Sequence, residues 1–100
     1  MGNGNEQMQV EFHNKANAMF VSVYQTFETA TYGLSRRNEE YKFQQLKKRY
    51  VTTLEQELQA VAKDVLANHK NEKQLNEMNQ IFHQSIKNYL HRFVQKINDL

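Results

Sequence analysis

Apolar residues recur along this chain at helical spacing in three separate stripes, and no proline interrupts any of them. Met8, Phe12, Ala16, Met19, Val23, Phe27, Ala30 and Leu34 advance by three or four residues at each step, which puts them on one face of an α-helix. Phe43, Leu46, Tyr50, Leu54, Leu58, Val61 and Val65 form a second stripe, and Leu75, Met78, Phe82, Ile86, Tyr89, Phe93, Ile97 and Leu100 a third. A long helix with one apolar face is stable only when that face is covered. The pattern therefore predicts an all-α fold, an up-down-up antiparallel three-helix bundle whose helices span about 5–32, 37–67 and 72–99.

The breaks between stripes fix the turns. Gly33, the only glycine beyond the first four residues, suits the left-handed position that closes a helix, with Leu34 folding back as its apolar contact. Ser35 or Asn38 restarts the chain, and Glu39 and Glu40 put negative charge where the helix dipole favours it. The second break has no glycine or proline, so one continuous helix from Leu34 onward is the alternative. Continuing the second stripe past Val65, however, lands on His69, Glu72, Asn76 and Gln80, all polar, whereas the real stripe restarts at Leu75. Asn71 with Gln74 matches a capping box, which favours a turn at 68–71. Asn5 is the expected cap of the first helix, preceded by a flexible start at 1–4. Helix rise makes such a bundle about 40 Å long.

One hundred residues make a single domain, 1–100. With no cysteine, disulfides and thiolate chemistry are excluded. The polar start lacks the basic and apolar regions of a secretory signal, and Glu6 stands where myristoylation after Gly2 wants Ser or Thr. No apolar run approaches the roughly 18 residues of a membrane span, so a cytoplasmic location with no membrane span is expected.

Enzymatic and metal chemistry find little purchase. His83 and His91 are eight apart, His13 and His69 fall on other helices, and no pair has the spacing that brings two imidazoles to one metal. His69 with Glu72 reverses the Glu-x-x-His order of di-iron bundles. Glu39–Glu40 and Glu55-x-Glu57 point in different directions on a helix, and Ser22, Ser35 and Ser85 belong to no recognisable nucleophile motif. The chain is expected to be no enzyme and to carry no metal or cofactor.

Charge distribution is the functional clue, since a net charge of +2 says little. Arg36, Arg37, Lys42, Lys47, Lys48 and Arg49 against Glu39 and Glu40 leave the start of the second helix at +4. Lys87, His91, Arg92 and Lys96 occupy the last half of the third, and an up-down-up bundle brings both to one end. The far end collects Glu6, Glu11, Glu55, Glu57, Asp64, Glu72 and Glu77, partly balanced by Lys15, Lys63, Lys70 and Lys73. The length, absent cysteine and helical pattern resemble the small hairpin proteins of type VII secretion, but Thr31-Tyr32-Gly33 lacks their Trp-x-Gly turn and a third helix follows. No family is recognised on these residues.

The expected function is that of a non-catalytic regulator or adaptor. Its basic pole, Arg36, Arg37, Lys47, Lys48 and Arg49 with Arg92 and Lys96, would bind an acidic protein or, through phosphate contacts, a nucleic-acid backbone. The alternative is a structural self-assembling module, a homodimer built on apolar residues at the stripe edges, namely Phe20, Tyr24, Ile81, Leu90 and Val94.

Overall fold

The computed structural model describes residues 4–35, 37–67 and 71–99. Three helices, α1 (Gly4–Thr31), α2 (Glu40–Ala67) and α3 (Glu72–Asn98), pack against one another as an all-α bundle. Side-chain contacts fix the directions. Phe27 of α1 meets Phe43 and Tyr50 at the start of α2, while Lys15 reaches Asp64 near its end, so α1 and α2 are antiparallel. Lys47 Nζ donates to Asn98 Oδ1 at 2.9 Å, tying the start of α2 to the end of α3. Phe12 stacks on Phe82 and Phe27 lies against Phe93, so α1 and α3 run in parallel. The bundle extends 55 × 18 × 18 Å, longer than the roughly 40 Å that helix rise alone predicts.

The stripes are the core. Met8, Phe12, Ala16, Val23 and Phe27 of α1 are buried with Phe43, Leu54, Leu58, Val61, Ala62 and Val65 of α2 and Met78, Phe82, Ile86, Tyr89, Phe93 and Ile97 of α3. Met19, Leu46 and Tyr50 are half-buried against them. Ala30 departs from its stripe and is exposed. It sits in the last turn of α1 and faces an open groove beside α2 rather than the core.

Both gaps between helices fall where the phase of the stripes breaks. Gly33 takes φ 84°, and Leu34 N–H donates to Thr31 C=O at 3.0 Å, closing α1. The second helix begins three residues later than the expected 37. Ser35 Oγ accepts from Asn38 N–H at 3.3 Å and the Glu39 carboxylate reaches back to Ser35 N–H at 3.4 Å. This reciprocal pair ties Ser35 to Asn38 and Glu39 ahead of Glu40. At the other break, Asn71 is the N-cap of α3 and its side chain accepts from Gln74 N–H at 3.1 Å. The expected turn residues 68–70, and the expectations for residues 1–3, His69, Lys70 and Leu100, lie outside the described residues. Asn5 is not a cap, because α1 starts at Gly4 and includes it. No described helix is long and apolar enough to cross a membrane.

Candidate functional site

At the end where α1 closes and α2 opens, the two helices leave an open groove of about 770 Å³. Its floor is apolar, made by Ala30, Leu34 and Leu46, and its rim carries Lys42, Lys48 and Arg49. The helical repeat explains the set: 42, 45, 46, 49, 52 and 53 fall on one face of α2, flanking the core stripe. Thr52 and Thr53 also line the groove, but their hydroxyls donate to Lys48 C=O and Arg49 C=O at 3.0 Å each, which removes both protons from competition for a ligand. Lys42 is paired with Glu39 at 3.3 Å. That ammonium, followed by Ser35 N–H, holds the Glu39 carboxyl below its ordinary value. Among the described residues no carboxylate pairs with Lys48 or Arg49.

Lys47, Lys96 and Arg92 do not share this face. Lys47 points to the α2–α3 seam, where it holds Asn98. Lys96 lies on the α1–α3 seam with its ammonium 4.5 Å from the centre of the Tyr24 ring and 6.0 Å from that of Phe20, and Arg92 lies on the same seam 5.7 Å above Tyr89. Arg37 is exposed in the connecting turn, and Arg36 lies outside the described residues. The described basic residues of this half of the bundle are thus distributed over three grooves. Of the seven expected from the sequence, Lys48 and Arg49 line one surface, joined there by Lys42.

The apolar edge residues divide similarly. Phe20 packs against Tyr89 and Phe93, Tyr24 against Phe93, and both with Leu90 flank the chain's own core. Val94 is half-buried, and Ile81 is 39% exposed. The more exposed large apolar residues, Val10, Val21, Tyr32 and Tyr41, were not among those expected.

A second feature escaped the sequence reading. Tyr89 is 7% exposed, yet its hydroxyl is satisfied: it donates to Asn17 Oδ1 at 3.2 Å and takes a hydrogen bond from His13 Nδ1 at 3.0 Å. Burial raises the Tyr89 phenol above its ordinary value, with Arg92 opposing. The signal was present in the sequence, since a tyrosine on a core stripe needs a partner for its hydroxyl and His13 and Asn17, four apart, stand on one face of α1. Among the described residues no three His, Asp or Glu side chains converge as a metal site. No protein-family model, curated protein or solved structure matches the chain.

Proposed function

We propose that this protein is a non-catalytic adaptor that holds an acidic segment of a partner protein in the α1–α2 groove. The observation that carries this reading is the placement of Lys48 and Arg49, without described carboxylate partners, beside the apolar floor of Ala30, Leu34 and Leu46. A sugar-phosphate backbone would use the cations and leave the floor uncovered. An amphipathic acidic segment uses both. Exposed ion pairs contribute little energy each, about 0.2–1 kcal/mol, so the floor supplies affinity while the rim supplies approach rate and orientation.

The test is a triple reversal, Lys42→Glu, Lys48→Glu and Arg49→Glu, which leaves the core residues untouched. The probes are a synthetic helix bearing glutamates on one face and leucines on the other, and a single-stranded oligonucleotide of equal charge. The wild-type protein should bind the peptide more tightly, and the reversal should abolish that binding. A control with Lys63→Glu and Lys73→Glu at the far end should bind as the wild type does. Equal binding by both variants would sink the proposal, and tighter, steeply salt-dependent binding of the oligonucleotide would replace it with the nucleic-acid reading.

A further inference from the structure

A notch of about 320 Å³ opens between α1 and α3, lined by His13, Asn17, Ser85, Asn88, Tyr89 and Arg92. We infer that this notch is a binding site for a phosphate monoester, carried on a small molecule or on a phosphorylated side chain. Hydrogen bonds among these side chains decide which polar groups remain for a ligand. Asn17 spends its carbonyl oxygen on the Tyr89 hydroxyl, so its amide N–H groups are what it can offer. Asn88 spends its carbonyl oxygen on Gln84 Nε2, at 3.5 Å, and likewise offers N–H. The Tyr89 hydroxyl proton is committed to Asn17, so His13 donates from Nδ1 and retains Nε2 as its remaining ring nitrogen.

Arg92 adds a guanidinium fork that no described carboxylate engages, held over the Tyr89 ring. Ser85 can rotate its hydroxyl to donate. The asparagine and arginine groups therefore offer donors to the notch, and no carboxylate lines it. An anion is the ligand such a lining fits.

The surrounding sequence agrees. From Phe12 to Phe27 on α1 and from Met78 to Asn98 on α3 there is no aspartate or glutamate, while α3 contributes Lys87, Arg92 and Lys96 over the same span. Phosphate fits better than carboxylate because the donors come from both walls, Asn17 from one helix and Ser85, Asn88 and Arg92 from the other. A tetrahedral group has oxygens for both walls, whereas a carboxylate has two in one plane. The volume is at the lower bound for ligand sites, enough for a phosphate with a small substituent.

The experiment titrates inorganic phosphate, phosphoserine, a phosphoserine peptide and acetate into the isotope-labelled full chain at constant ionic strength. The side-chain signals of Asn17, Asn88 and Arg92 should move together and saturate with the phosphate probes. Phosphoserine against its peptide tells a free metabolite from a modified protein as the source. Arg92→Gln, at an exposed position, should weaken binding about tenfold or more, and Tyr89→Phe should also weaken it by freeing Asn17 to rotate. Arg49→Gln, in the other groove, should change nothing. Shifts that do not saturate, that acetate reproduces at equal concentration, or that survive Arg92→Gln would overturn the assignment.

Discussion

The two ends of the bundle both carry lysines, yet the lysines touch different things. At the far end Lys15 donates to Glu11 at 3.2 Å and to Asp64 at 2.9 Å, bridging α1 to α2. At the basic end Lys48 and Arg49 flank an apolar floor with no described carboxylate beside them. The interiors differ as well. Leu58, Val61, Ala62, Val65, Met8 and Met78 fill the far end around a single Phe12–Phe82 stack, whereas Phe27, Phe43, Tyr50 and Phe93 make the basic end aromatic. A charge that is neutralised locally serves the fold, and one left over a covered core is available to a partner.

The largest effect expected tests the interior half of this contrast. Phe27→Ala should destabilise the protein by about 3–5 kcal/mol, because Phe27 is fully buried and packs on rings from both other helices. Met8→Ala at the far end should cost less, since it loses burial without the ring pairs that add about 0.5–1.5 kcal/mol each. Urea unfolding of the two variants decides the matter. Equal costs would mean that the two ends are held with equal strength despite their different side chains.

Smaller effects come from the turns, one at each end. Gly33→Ala should cost about 1–2 kcal/mol for forcing a side chain into the left-handed region. A Cβ there meets nothing within 4 Å, so backbone conformation is the whole cost, and Gly33→Asn should recover part of it. Asn71→Ala should cost about 1 kcal/mol through the lost cap on Gln74 N–H. Thermal melts order the pair. A cheaper Gly33→Ala than Asn71→Ala would show that the basic end tolerates a rebuilt turn better than the far end does.

Periodicity made the helices, their number and most of the core legible, because burial on one face of a helix leaves a direct trace in spacing. The turn before α3 was legible for the same reason, as a break in phase at Leu75 with a capping residue at Asn71. The start of α2 was not, because Ser35 and Asn38 both cap in isolation and only the folded chain lets Glu39 close back on Ser35. The candidate site was half legible. The sequence predicts which residues gather at one end of a bundle, but the rotation of each helix about its axis decides which groove a side chain enters. Lys47 and Lys48 are neighbours in sequence and serve different seams for that reason. Tyr89 shows the complement: spacing placed its ring in the core, and the fate of its hydroxyl depended on what α1 presented opposite.

The smallest effect expected separates the two ends by pH. Glu39 at the basic end has its carboxyl lowered from the ordinary 4.5, first by Lys42 and then by Ser35 N–H. A lowered folded value means that its contribution is present above the ordinary range and is lost as pH falls through the folded value. Lys15 at the far end is raised from 10.5, first by its hydrogen bond to Asp64 and then by that to Glu11. Its contribution is present below the ordinary range and is lost as pH rises through the folded value. Acid should therefore loosen the capping turn of the basic end, and alkali the α1–α2 bridge of the far end. Both groups are solvent-exposed pairs, so each effect should fall below that of either turn variant and shrink further in salt. Melting midpoints across pH, taken as wild type minus Glu39→Gln and wild type minus Lys15→Met, cancel the other titrating groups. The first difference should vanish at low pH and the second at high pH. If either difference stays flat across its own range, that ion pair is surface decoration and the contrast between the ends rests on their interiors alone.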